Sequence, residues 1–119
     1  MSDNLITFHR GDTANFHFHR EFADGTVITE RADRIYFTVK ERGKEAQPNF
    51  VLQKKNEDFT FEENGEYHFT ITPTDTNGLV FEKVYSYDIE VIDGGVKTTI
   101  ASGDFVLKKE VTTQADEGE

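Results

Sequence analysis

Alternation of apolar and polar side chains is the feature that most restricts how this chain can fold. In residues 35–39, 67–71 and 85–91, aromatic or aliphatic residues occupy every second position and mostly polar residues lie between them. A period of two gives a strand one buried face and one wet face, as is typical of antiparallel sheets covered on one side. Because a single sheet cannot bury its own apolar face, the pattern predicts two packed sheets.

Composition narrows the choice of fold further. The chain has 119 residues, enough for one domain, with 11 Phe and 4 Tyr but no Cys and no Trp. Disulfides and thiolate metal sites are therefore excluded, and the core must consist of aromatic and aliphatic residues that favour strands. We predict an all-β, immunoglobulin-like antiparallel β-sandwich of about seven strands over residues 1–111. A disordered acidic tail is predicted over residues 112–119.

Turn signals separate the predicted strands. Asn64-Gly65 predicts a type I′ hairpin, and Asp93-Gly94-Gly95 predicts a second hairpin between residues 85–92 and 96–109. Residues 73–78, which read PTDTNG, interrupt the alternation and predict a loop with a short helical turn. Gly103 lies inside the last strand, where a glycine indicates a bulge or a bend.

Charge limits the partners that this protein can have. The formal net charge is −10, so the phosphates of nucleic acids and of anionic membranes would repel the chain. We therefore expect neither a nucleic-acid partner nor a membrane partner. The first residues show no basic and apolar leader, and no apolar run approaches the roughly 20 residues of a membrane helix. We expect a protein that a signal peptide does not export.

The tripeptide Arg10-Gly11-Asp12 matches a cell-attachment motif, but its context favours a structural role. It lies between two predicted strands that are only a few residues apart, rather than at the tip of a long loop. Gly11 permits a turn, and the Asp12 carboxylate can accept hydrogen bonds from the following backbone N–H groups. A three-residue motif has a high false-positive rate, so we predict an ordinary turn here.

His17 and His19 raise the alternative of a metal site. Two residues apart on a strand, both imidazoles project from the same polar face. A site would need further ligands, which His9 or His68 could supply if their strands were neighbours. The simpler interpretation is four solvated polar side chains, and we predict no metal and no cofactor.

The remaining residues show no catalytic constellation. The chain has 23 Asp and Glu residues, but it lacks a nucleophile elbow, a glycine-rich phosphate loop and the register of a calcium loop. We predict a binding or structural module with no catalytic residues. The outer face of the last hairpin is less polar than its neighbours, and we predict a partner-docking face at Val84, Ile92 and Val106.

Several segments, in order, resemble a known family. These are Arg10-Gly11-Asp12-Thr13, an aromatic strand and Asp24-Gly25, then residues 35–40 (IYFTVK), 69–79 (FTITPTDTNGL), 85–91 (YSYDIEV) and 103–107 (GDFVL). Together they are similar to virion-associated proteins of tailed phages and prophages of Gram-positive bacteria. They are similar to the immunoglobulin-like N-terminal domain of baseplate upper proteins. Thr74 departs from the family pattern, which more often has Glu there.

The resemblance implies a non-enzymatic role in assembly. A protein of this family docks on other virion proteins of the tail, the baseplate or the virion periphery, or on further copies of itself. It would reside in the host cytoplasm during assembly and afterwards in the virion. An alternative of another class is a small ligand-binding β-sandwich, such as a carbohydrate-binding module. Such modules usually expose Trp or Tyr on a flat face, whereas this chain has no Trp.

Overall fold

The computed structural model describes residues 5–109, which form eight strands and one short helix. The predicted tail over residues 112–119 lies outside the described part of the chain. The elements in chain order are β1 (Ile6–His9), β2 (Ala14–His19), β3 (Arg34–Glu41), β4 (Leu52–Lys55), a 3-10 turn (Asn56–Asp58), β5 (Thr60–Phe61), β6 (Glu66–Ile71), α1 (Pro73–Thr76), β7 (Val84–Asp93) and β8 (Val96–Lys108).

The strands form two sheets, as the alternation predicts. One sheet has five strands in the order β1-β8-β7-β3-β4, and the other has three in the order β2-β6-β5. These orders match the AGFCC′ and BED arrangement of immunoglobulin-like sandwiches, so the predicted all-β fold class is confirmed. Two details differ from the prediction: β4 is an eighth strand, and β1 pairs with β8 in parallel. Alternation did not predict the short strand β4, because Leu52 is its only apolar residue.

Aromatic rings fill the space where antibody domains place a disulfide and a tryptophan. Phe37 of β3 is fully buried and lies 4.8 Å from Phe69 of β6 and 5.7 Å from Tyr87 of β7, between ring centroids. Phe18 of β2 stacks on Tyr67 at 5.1 Å. Such pairs add stabilisation beyond the area that they bury, and the Phe37–Phe69 pair joins the two sheets without a covalent link.

The two predicted hairpins are present, but they use different turns. Gly94 and Gly95 both have positive φ between the paired residues Asp93 and Val96, which defines a type I′ turn. The prediction of a type I′ turn at Asn64-Gly65 is wrong, because only Gly65 has positive φ there. Its N–H donates to the Glu62 carbonyl at 2.9 Å, giving a three-residue loop that ends in a glycine bulge.

A bulge interrupts the long β7–β8 ladder, although not at the predicted glycine. Ile89 pairs with Ala101 and Glu90 pairs with Thr99, so Ile100 is the extra residue. Gly103 stays in register opposite Tyr87. The bulge changes which alternate positions of β8 face inward, so the half-buried side chains of Ile100 and Ala101 both pack against the core.

The connection between β6 and β7 contains the predicted helical turn. Thr72 and Asp75 form a reciprocal capping box at the start of α1, with Pro73 in its first turn. Beyond it, the Val80 N–H donates to the hydroxyl of Tyr85 at 3.0 Å. A tyrosine near the start of this strand, hydrogen-bonded to the backbone upstream, is the tyrosine corner of immunoglobulin-like domains.

Candidate functional site

The Arg10-Gly11-Asp12 tripeptide forms the tight turn between β1 and β2. Gly11 has φ of 96°, and the Asp12 N–H donates to the His9 carbonyl at 3.1 Å. The Arg10 guanidinium lies over the Phe81 ring, 4.3 Å from its centroid. This arrangement confirms the predicted turn. The cation–π contact packs the Arg10 side chain against the Phe81 ring of the same domain.

The two histidines of β2 each contact a different glutamate. His19 Nε2 lies 2.7 Å from Glu21 Oε2, on its own segment of chain. His17 Nδ1 lies 3.1 Å from Glu66 Oε2 on the neighbouring strand β6. His9 is in the other sheet, whereas His68 pairs directly with His17, with ring centroids 5.9 Å apart. Of the two further ligands considered from sequence, only His68 therefore adjoins His17.

Two glutamates complete a group that we call the His–Glu cluster: His17, Glu62, Glu66 and His68. His68 Nε2 lies 3.0 Å from Glu62 Oε2 and 3.3 Å from Glu66 Oε1. Glu62, Glu66 and His68 each offer a ligand atom within 4.8 Å of the others. Alternation could not single out this group among the 23 acidic residues, because it shows neither the pairing of β5 with β6 nor which side chains approach each other.

The predicted docking face does not form one patch. Val84 and Val106 are paired across β7 and β8, and both are half-buried on the outer face of the five-stranded sheet. Ile92 lies at the opposite end of β7, between Arg34 and Lys97. The hairpin is long, so residues that share its outer face can still lie far apart.

A long unpaired edge is the main surface that sequence reasoning missed. Strand β8 pairs with β7 along most of its length, but β1 covers only its last part, residues 105–108. Within residues 5–109, no strand pairs with the other edge of residues 96–104. This free edge spans about 30 Å at the usual rise per residue. Only the lengths and the register of β1 and β8 reveal it.

A groove of about 680 Å³ adjoins this free edge between the two sheets. Its apolar lining includes Ile28, Val91, Val96 and Ile100. Arg20 also lines it, although its side chain is only 7% exposed. The guanidinium donates to the Glu30 carbonyl at 2.6 Å and to Asp93 Oδ2 at 3.4 Å. Arg20 thereby joins the end of the three-stranded sheet to the β7–β8 hairpin.

A second, smaller groove of about 270 Å³ lies on the outer face of the five-stranded sheet. Tyr36 and Phe50 contribute rings to it, and Gln53, Asp88 and Glu90 contribute polar groups. Burial, followed by repulsion from Glu90, raises the pKa of the Asp88 carboxyl above its ordinary value. Rings beside hydrogen-bonding groups are suited to a hydroxyl-rich ligand.

These features define the class of the protein as a β-sandwich of immunoglobulin topology with a free edge, two grooves and a His–Glu cluster. No helix in the described residues has the length and apolar character required to cross a membrane. No protein-family model matches this chain, and no curated protein matches it.

Proposed function

We propose that this protein is a non-enzymatic assembly module of a tailed-phage or prophage virion, which docks other virion proteins along the free edge of β8. The observation that carries the proposal is the unpaired edge of residues 96–104 beside an apolar groove. The ordered sequence resemblance supports the virion setting. In this proposal the chain assembles in the host cytoplasm and then resides in the particle.

The occupant that fits this surface is an extended segment of another protein. Free backbone N–H and C=O groups can pair with an added strand, and alternate side chains of that strand can enter the groove. The net charge of −10 makes a second copy of this chain a poor occupant, since two copies repel each other. A neutral or basic strand from a different virion protein is therefore favoured.

Particle composition tests the virion setting. Particles from an induced lysogen that encodes this chain are purified by density gradient and quantified by mass spectrometry. The chain is expected at a fixed copy number relative to the tail proteins. Its absence from purified particles, with the protein recovered only from the unassembled fraction, would overturn the proposal.

A single backbone N–H tests the docking edge. Asp93 and Val96 flank a two-residue turn and pair with each other, so the next residue, Lys97, directs its N–H away from β7. Lys97→Pro removes that donor while leaving the β7 ladder intact, and is expected to abolish incorporation into particles. Lys97→Ala keeps the N–H and is the matched control.

The partner can be identified in the same particles by photo-crosslinking. Benzoylphenylalanine at Thr99, next to the free edge, is expected to link to one extended peptide of another virion protein. The same probe at Thr60, in the opposite sheet, is the control. Equal incorporation of Lys97→Pro and Lys97→Ala, or identical crosslinks from both probe positions, would contradict docking at this edge.

The groove containing Tyr36 and Phe50 favours carbohydrate binding as a second candidate function. Phe50 is 51% exposed, so its ring is available to stack on a sugar, and the neighbouring polar groups could bond hydroxyls. A glycan array with wild-type protein and a Phe50→Ala variant discriminates the two functions. Specific signals that disappear in Phe50→Ala would favour this candidate.

A further inference from the structure

We propose that the His–Glu cluster binds a divalent transition-metal ion such as zinc, with His68 Nε2 and the carboxylates of Glu62 and Glu66 as ligands. His17 orients Glu66 through the second carboxylate oxygen. This site lies on the outer face of the three-stranded sheet, on the other layer of the sandwich from β8. The proposal is independent of docking at that edge and goes beyond it.

The distances in the cluster resemble those between ligands of one ion. Zinc bonds nitrogen and oxygen at about 2.0–2.2 Å, so neighbouring atoms of a tetrahedral shell lie about 3.3 Å apart. His68 Nε2 lies 3.0 Å from Glu62 Oε2 and 3.3 Å from Glu66 Oε1. Small side-chain rotations are therefore enough to place these three groups around a metal.

The His68 nitrogen has an unmet bonding requirement that a metal would satisfy. Nε2 is buried at the level of the atom and makes no hydrogen bond of acceptable geometry, although two carboxylate oxygens lie within 3.3 Å. Short distances from Nε2 to the two carboxylate oxygens can occur without hydrogen bonds when all three atoms point towards one shared position between them, as ligands of one ion do. A buried polar atom without a partner is uncommon and needs a physical reason.

The backbone holds the ligands before any metal arrives. Glu66 and His68 are two apart on β6, so both side chains project from one face. Glu62 lies directly across the hairpin, and its N–H donates to the Glu66 carbonyl at 2.9 Å. His17 is in register with His68 and contacts Glu66 at 3.1 Å, in the way that hydrogen-bonded neighbours of metal ligands orient them.

The ligand types determine the class of metal. Imidazole favours zinc, copper and nickel over magnesium and calcium, which prefer sites built only of oxygen. Two carboxylates balance the charge of a divalent ion. The side chains of Glu62, Glu66 and His68 are 51%, 30% and 39% exposed, which leaves a path for entry and a position for water. Three protein ligands with one open position are expected.

Titration of zinc chloride into EDTA-treated protein, followed by calorimetry and thermal melting, tests the site. One equivalent is expected to bind and to raise Tm, because a ligand that binds only the folded state stabilises it. Magnesium chloride is expected to do neither. Circular dichroism confirms that each variant is folded, so that loss of binding is not confused with loss of structure.

Variants assign the ligands. His68→Ala and Glu66→Gln are expected to abolish stoichiometric binding, and His17→Ala to weaken it about 10-fold to 100-fold, as for other residues that orient a ligand. His19→Ala is the matched control, since His19 is on the same strand and face but bonds Glu21. Nitrogen shifts in histidine NMR spectra are expected to move for His68 and to stay unchanged for His19.

Three results would overturn the proposal: no stoichiometric zinc binding by folded protein, binding that survives His68→Ala, or equal losses in His19→Ala and His68→Ala. If the protein binds zinc but does not enter virions, the metal-site proposal is supported and only the proposed function is contradicted.

Discussion

Gly65 shows how one residue can secure both a turn and a contact between segments. Its φ is 95°, and a Cβ at this position would lie 2.6 Å from the Ile28 carbonyl oxygen and 2.8 Å from Val27 Cγ1. Glycine is therefore required twice, once for the backbone conformation and once for the close approach. The same turn carries Glu62 and Glu66 of the His–Glu cluster on its two sides.

We expect Gly65→Ala to lower the free energy of unfolding by about 2–4 kcal/mol, because strain at positive φ adds to the cost of overpacking. Gly25→Ala is the matched control. Gly25 has φ of 90° but open space around it, so only the strain of about 1–2 kcal/mol remains. Urea denaturation of both variants measures the difference. Equal losses would show that the contact with Ile28 has no energetic weight.

The segment between β6 and β7 is the element that most closely follows immunoglobulin architecture. The helix α1 is only one turn long, so it depends on its cap and on the chain that follows it. That chain is held by the hydrogen bond from the Val80 N–H to Tyr85, whose side chain is buried. The corner is thus tied to the start of β7 by one hydroxyl.

We expect Tyr85→Phe to lower the free energy of unfolding by about 1 kcal/mol, the usual net value of one hydrogen bond. Tyr36→Phe is the control, because Tyr36 lies half-buried on the outer face of β3, and we expect a change below about 0.5 kcal/mol. Urea denaturation gives both values. Hydrogen exchange should also quicken at the Val80 amide in Tyr85→Phe alone, and unchanged exchange there would contradict this role of the corner.

At the scale of the whole molecule, repulsion between negative charges lowers the stability that packing of the aromatic core provides. The chain has 23 acidic and 13 basic side chains. Many of them form exposed ion pairs, each of which contributes little to stability. The net charge of −10 favours expansion of the chain, because like charges repel each other.

We expect added sodium chloride to stabilise the protein at pH 7. Raising the salt from about 0.01 M to about 0.3 M shortens the Debye length several-fold, and the gain should be on the order of 1 kcal/mol, or a few degrees in Tm. The same series near pH 5, close to the sequence pI of 4.8, is the control, because little net charge remains there. A Tm that falls with salt at pH 7 would mean that the ion pairs outweigh the repulsion.

The sequence by itself determined seven of the eight strands, their buried faces and most of the turns. Tyr67 and Phe69 are buried and His68 between them is not, as the alternation predicts, because the direction of a strand side chain depends only on its own position. Gly94 and Gly95 likewise determined their hairpin, since the turn needs two residues that tolerate positive φ. Such local rules involve only a few consecutive residues, so the sequence alone is enough to apply them.

Tertiary structure alone decided which strands are neighbours and in what register. That choice brought His17 on β2 to His68 and Glu66 on β6. It also left residues 96–104 of β8 without a second neighbour among the described strands. Pairing depends on how whole faces pack across the core, and alternation is the same for every partner that a strand could choose. The candidate sites therefore depend on how the strands pair and pack in the sandwich, whereas the strands that carry them depend on the local sequence.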